Sequence, residues 1–423
     1  MNGNDRSILS ITMLGHGMVH MYELAIPIFI TAWIAGLGVG SATLGIAVAV
    51  GYALYGIGSA PSGIVTDAYG SKRLLVGCLL GIGASFALLA IVDGLAGVTL
   101  ALAVWGLAAS AYHPAGLRLI STGVTERGAG LGYHGIAGNV GIALGPLVAT
   151  TLLIAFEWRL VAAAMAVPAF AAAAYTIYVS VDELAAVEPV GGGEATDGGE
   201  DEPTATDPED APGSLPPIRG ILGDTRTIFA GGFLIAFPML ILEGFFYRGV
   251  LTFLPDMLAS YDSLAAVTIA GESVDPSGYV FAGLLIVGMA GQYAGGKLSD
   301  AMAPEKAVIG AFLSMAAISV LFVPAANTGL FALLLVSGLL GFVLFGEQPL
   351  LQAVVADHSG SDVRGLSYGY MFLGVFGVGA LGAAFSGAVL AYTTQQVLFL
   401  LLAVVPFSAA LIAAALSRSS RTG

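Results

Sequence analysis

Charge is what this chain has least of. Only 10% of its 423 residues are Asp, Glu, Lys or Arg, while 57% are hydrophobic; a soluble domain carries roughly 25% charged residues. An ordinary soluble globule is excluded. A single cysteine, Cys78, rules out a disulfide framework. With fourteen basic residues in a chain of net charge −14, there is no cationic surface for nucleic acid. No nucleophile constellation, phosphate-cradling loop or ATPase domain can be found, which excludes enzyme and primary-pump readings. Nothing in the residues calls for a cofactor or a resident metal.

What the chain does have is apolar sequence in long runs. Twelve of them, at 8–34, 41–65, 74–92, 97–121, 130–155, 160–180, 227–256, 278–298, 307–325, 329–355, 366–392 and 396–416, cover most of its length. About 20 apolar residues cross a hydrocarbon core of ~30 Å as a helix. Runs this continuous lack the alternation of barrel strands, so helices are left to satisfy the backbone in lipid. The expected fold is an all-α integral membrane protein. Only Arg6 precedes the first run and no small-residue cleavage site follows a short apolar stretch, so the first span is expected to stay.

Eleven basic residues alternate onto one side of the spans: Arg6, Lys72, Arg73, Arg127, Arg219, Arg226, Lys297, Lys306, Arg364, Arg418 and Arg421. Arg159 falls on the other side, and Arg118 and Arg248 lie within spans. This bias predicts cytoplasmic N- and C-termini for a multi-pass protein of the cell membrane. Much of the acidity is local. Residues 181–226 hold twelve acids and two bases, and 187–217 is rich in Gly, Pro, Asp, Glu and Thr. Such composition cannot bury enough surface to fold, so a disordered cytoplasmic linker is expected over 181–226. It separates six spans in 1–180 from six in 227–423.

The halves repeat. Gly63-x3-Asp67 matches Gly296-x3-Asp300 at an offset of 233, and His113-Pro114 matches Gln348-Pro349 at 235. Arg127-Gly128 matches Arg364-Gly365, and Gly145 matches Gly382, both at 237. Parallel six-span halves with a site between them are a recurring transporter plan.

The loop after span 2, Gly63-x3-Asp67-x2-Gly70-x-Lys72-Arg73, resembles the signature loop of the major facilitator superfamily. Its second copy is degraded, with Ala303 where the second glycine belongs and Pro304-Glu305-Lys306 for the basic pair. The resemblance implies twelve helices in two pseudo-symmetric halves, with the loop holding the cytoplasmic side closed when the site faces outward. The residues suit that gating role. Gly63 and Gly70 permit close approach and a tight turn, and Asp67 can bind a helix N-terminus or an arginine. Arg118 is expected to meet Asp67 or Glu126. Asp67 is expected to matter more than Asp300.

Gly138, Gly141 and Gly145, followed by Pro146, share a helical face in span 5 and offer a groove for backbone-to-backbone packing. Gly141-x3-Gly145-Pro146-x2-Ala149 is also similar to a motif of drug:proton antiporters in the superfamily, with Ala149 in place of a usual glycine. The arginine that antiporters carry early in span 4 is missing.

Ionisable groups in mid-membrane cost about 2.5–3.5 kcal/mol or more and mark function. His16, His20 and Glu23 recur at i, i+4 and i+7 in span 1, on one face with Pro27. A buried carboxyl and its histidines suit proton coupling. A packing network and, more remotely, metal ligation are the competing readings of this set. His16-x3-His20-x-Tyr22-x4-Pro27, with Tyr112-His113-Pro114, looks like the fosmidomycin-resistance efflux branch, where a polar or acidic residue commonly stands at His20. In the superfamily, spans 1, 4, 7 and 10 line the cavity, which makes His113, Glu243, Arg248, Glu347 and Gln348 wall candidates, with Asn139 of span 5 beside them. Arg248 either meets an anionic substrate or pairs internally with Glu243 or outer-loop acids. The expectation is a monomeric secondary transporter that exports a small organic compound by proton antiport. Coupled uptake of an organic anion is the alternative, and a non-transporting sensor or scaffold the remote one.

Overall fold

The computed structural model describes residues 1–187, 218–230, 232–269, 271–357 and 364–419. Twelve segments within them are helical, long and apolar enough to cross a membrane, matching the apolar runs. The first half comprises α1 (Gly3–Leu37), α2 (Ser41–Tyr69), α3 (Ser71–Ile91), α4 (Gly94–Ala109), α5 (Tyr112–Gly123), α6 (Arg127–Ala155) and α7 (Trp158–Tyr178). A short α8 (Ile218–Phe229) leads into α9 (Phe233–Leu251), α10 (Leu254–Ala259), α11 (Ser277–Ala301), α12 (Pro304–Ala326) and α13 (Leu330–Asp357). The eleventh span runs from α14 (Arg364–Phe372) through a π-helical turn (Leu373–Val378) into α15 (Leu381–Tyr392), and α16 (Gln395–Ser419) ends the fold.

Local chemistry sets the breaks. Asn2 and Asp5 cap α1 reciprocally, each side chain accepting from the other's backbone N–H. Gly70 turns the chain from α2 to α3 at φ 86°, where a Cβ is strained. Pro114 has no N–H to offer the Ser110 carbonyl, so the run predicted over 97–121 divides into α4 and α5. A hairpin of β1 (Val267–Ile269) and β2 (Glu272–Val274), with Val267 opposite Val274, closes the loop before α11. The sequence reading passed over it, because it lies among polar residues between spans.

The acidic stretch 188–217, expected to be disordered, lies outside the described residues, as does Arg421. Its flanks within 181–226, residues 181–187 and 218–226, are described. Asp182 N–H donates to Asn4 Oδ1 over 2.8 Å and Ala186 N–H to the Thr122 carbonyl over 2.9 Å, which ties 181–187 to the first half. At the far side, α8 is helical from Ile218.

Glycine seams hold each half. On α6, Gly138 lies against the His16 ring, Gly141 against the Gly17 carbonyl and Gly145 against the Met21 carbonyl. A Cβ at any of them would collide with α1, and Pro146 is buried beside the seam. Gly382, the repeat mate of Gly145, sits in the same way on the Phe245 carbonyl of α9. The sequence repeat is thus a repeat of contacts.

The halves meet at the end away from the basic loops. Ser41 Oγ donates to the Gly387 carbonyl over 3.0 Å, Gly45 packs on Ala383, and the Thr151 and Tyr279 hydroxyls are 3.2 Å apart. At mid-height the π-helical turn lies between both halves, with Gly56 of α2 against Gly377 and Gly244 of α9 against the Val375 carbonyl.

Candidate functional site

Helical spacing puts His16, His20 and Glu23 on one face of α1, and the fold brings Arg248 to meet them from α9. Glu23 Oε1 accepts from Arg248 Nη2, and Glu23 Oε2 from His20 Nδ1 over 2.7 Å. Glu23 and Arg248 are 1% and 2% exposed. The guanidinium carbon stands 3.8 Å from the centre of the Tyr52 ring, 5.2 Å from Tyr247 and 5.3 Å from Phe376. Cation–π attraction to the Tyr52 face of α2 offsets part of the arginine's desolvation. Among the described residues this is the buried ion pair that joins the halves. Arg248 is therefore paired internally, but with Glu23 of the other half rather than with Glu243 or an outer-loop acid.

Behind this pair runs a chain of histidines. A carbonyl only accepts, so His16 Nδ1 carries the proton it donates to the His134 carbonyl over 2.7 Å. Nε2 of His16 and Nε2 of His20 are 3.1 Å apart. The Tyr112 hydroxyl donates to the Thr12 carbonyl, so its oxygen accepts from His134 Nε2 over 3.0 Å. The His134 ring stacks on His16 with centres 3.8 Å apart. His113, set just before Pro114 at the start of α5, stacks on Phe372 at 5.2 Å; its Nε2 is buried and has no hydrogen-bond partner among the described residues.

The remaining wall candidates stay outside this cluster, unlinked to it by any hydrogen bond or ion pair among the described residues. Glu243 on α9 and Glu347 on α13 are buried. Neither Glu347 oxygen has a hydrogen-bond partner among the described residues. Asn139 and Gln348 are half-buried. Sequence reasoning missed Phe372 and Phe376, whose role depends on how the eleventh span packs against the first half.

The signature loop binds its own half. Arg118 Nε lies 2.8 Å from Asp67 Oδ1, as expected, and Arg118 Nη1 donates to Ser71 Oγ over 3.3 Å. The helix N-terminus, however, is taken by Glu183, whose carboxylate accepts from Ser71 N at 2.7 Å and Lys72 N at 2.9 Å. That residue was passed over because it lies in the stretch read as linker. Lys72 Nζ donates to the Ile177 carbonyl over 3.0 Å, closing α7, and Arg73 is exposed. Gly63 is not tightly packed in this conformation, since a Cβ there would meet only Pro114 at 3.9 Å. Asp300, in the degraded copy, is exposed without a partner among the described residues. Asp67→Asn should slow transport several-fold while Asp300→Asn leaves it near wild type. Both should change stability by less than about 1 kcal/mol, because Asp67 is exposed in its pair with Arg118 and Asp300 is exposed without a partner among the described residues. Initial rates in vesicles beside thermal melts check this.

A twelve-helix membrane protein in two repeated halves, joined by a buried ion pair at mid-height, has the architecture of a secondary transporter. The profile of the Major Facilitator Superfamily matches residues 10–375 and again 263–422, and the chain belongs to that superfamily. Its fold is similar to a bacterial homolog of the human lysosomal transporter Spinster, in an inward-facing and unoccupied conformation. That match has a TM-score of 0.74 and 14% identity, over 99% of this chain and 98% of the other. A peptide transporter POT in complex with sulfate matches at 0.71 and 15%, over 98% and 94%. The nucleoside transporter NupG, as a point mutant, matches at 0.68 and 14%, over 98% and 100%. No curated protein matches in sequence. The protein is a multi-pass membrane transporter of small molecules.

Proposed function

We propose that this transporter exports a small organic compound in exchange for protons, working as a monomer in the cell membrane with both termini in the cytoplasm. The observation that carries the reading is the Glu23–Arg248 pair with His20 on the second carboxylate oxygen. A salt bridge between the two halves resists their separation, and buried ions must be partnered. A proton arriving through His16, His20 and Glu23 discharges the carboxylate, loosens its hold on Arg248 and lets the halves rearrange. Alternating access then follows from one titrating site biasing a two-state packing. The antiporter-like Gly141-x3-Gly145-Pro146 segment supports export.

A second reading has its own support. Arg248 Nε is buried without a hydrogen-bond partner among the described residues, so the arginine has a donor to spare for an anionic group. An organic anion taken up with protons or sodium would compete with Glu23 for that guanidinium. Candidate cavity residues for either cargo are His113, Asn139, Glu243, Glu347 and Gln348. Flux in proteoliposomes with an imposed pH gradient decides between them. Movement of a test organic anion against the proton flow supports export by antiport. Accumulation along with the protons transfers the argument to uptake.

A further inference from the structure

His16, His20 and His113 each present a ring nitrogen, and the three atoms lie within 4.8 Å of one another. We propose that these three side chains form a binding site for a divalent transition-metal cation of the zinc class, at the first-half wall beside the Glu23–Arg248 pair.

The orientation of the rings carries the argument. His16 uses Nδ1 on the His134 carbonyl and His20 uses Nδ1 on the Glu23 carboxylate, at 2.7 Å each. Metal-bound histidines almost always donate their other N–H to a backbone carbonyl or a carboxylate, which fixes the tautomer and aims the free nitrogen at the ion. Both arrangements are present here. With both Nδ1 atoms donating, the two Nε2 atoms face each other across 3.1 Å, a contact that either a proton or a metal cation between them satisfies. A proton would serve that pair alone. It would leave the buried His113 Nε2 without a partner, whereas a metal ion draws one nitrogen from each of the three rings.

Ring positions agree. Three imidazoles bound through nitrogen at ~2.0–2.1 Å on tetrahedral vertices have ring centres about 5 Å apart. The observed separations are 4.7, 5.4 and 5.6 Å. Drawing the widest nitrogen pair to the ~3.3 Å spacing of a tetrahedral site takes a side-chain shift of about 1.5 Å. His134 is not a fourth ligand, since its Nε2 is committed to Tyr112. The fourth position is left for water or a donor atom of a molecule in the cavity. Three imidazoles suit Zn, Cu, Fe or Ni over Mg or Ca, which prefer oxygen. From sequence only the His16 and His20 spacing on one helix was visible; His113 joins them from α5 through the fold.

The proposal shares His16 and His20 with the proton route proposed above, since a bound ion would take the two Nε2 atoms that face each other, but its test reads metal binding alone and needs no transport measurement. Its test uses full-length protein in detergent, carried on a histidine-free affinity tag and titrated with Co²⁺ as an optical probe. One Co²⁺ per chain is expected, with the strong visible absorption of a four-coordinate ion, displaced by an equivalent of Zn²⁺. His113→Ala should weaken binding by about 100-fold or more. His134→Ala should bind as wild type, because it leaves the backbone carbonyl that orients His16. X-ray absorption on the zinc-loaded wild type should count three imidazoles, which keeps the proposal testable if His113→Ala does not fold. No saturable Co²⁺ binding by folded wild type, undiminished binding by folded His113→Ala, or fewer than three imidazoles on zinc would each overturn the site.

Discussion

Glu23→Gln is expected to abolish gradient-driven transport, by about 100-fold or more, while substrate binding and substrate–substrate exchange persist. A carboxamide has nearly the shape of the carboxylate: its oxygen can still accept from Arg248 Nη2, and its NH2 can donate to His20 Nδ1 once that ring takes the other tautomer. What it cannot do is gain or lose a proton at neutral pH or hold Arg248 by charge. The link between proton and conformation is a coupling free energy, typically 1–3 kcal/mol or up to about 150-fold. Removing the titrating group removes that energy and leaves the cavity. Counterflow assays, which need no gradient, should therefore survive while pH-driven flux is lost. Wild-type pH-driven flux in the variant would strike Glu23 from the mechanism.

Arg248→Met is the second large effect, and it falls on stability. Truncating one partner of a buried pair leaves an uncompensated charge and costs about 3–5 kcal/mol. Loss of the guanidinium from the Tyr52 face, 3.8 Å away, removes a further contribution of about 2 kcal/mol. Adding Glu23→Gln should recover most of the deficit, because no charge is then stranded. Melting in detergent of the two single variants and the double closes a cycle, and the recovery is the discriminating quantity. A double variant no more stable than Arg248→Met would show that packing on the aromatic rings, rather than charge, holds Arg248 in its site.

The sequence was most legible where physics is local or repetitive. Apolar length alone located twelve spans, because lipid leaves a helix little alternative. Helical spacing predicted that His16, His20 and Glu23 share a face. The pairing of Gly145 with Gly382 proved to be a pairing of contacts, against the Met21 and Phe245 carbonyls. Arg118 met Asp67 as its position allowed. Legibility failed where a partner comes from elsewhere in the chain. Arg248 and Glu23 are separated by 225 residues, and nothing in either helix announces the other. Glu183 was hidden by the composition of its neighbours, and Gly63 stands open although its motif suggested close packing. His113 could be marked as polar and buried, but its approach to His16 depends on the break that Pro114 makes between α4 and α5.

The π-helical turn at Leu373–Val378 has a mechanical consequence. It is faced by glycine backbone from the first half at Gly56 and from the second at Gly244. Side chains that interlock must be withdrawn before two helices can move past each other; bare backbone surfaces have nothing to withdraw. In the alternating access proposed above, these backbone contacts of the eleventh span would serve as a fulcrum near the level of the charged pair, steadied by Phe376 of the same turn, which stacks on Tyr55 with centres 4.8 Å apart. Fastening and rolling are divided between neighbours: one buried ion pair is the fastener, and the glycine surfaces are the bearing.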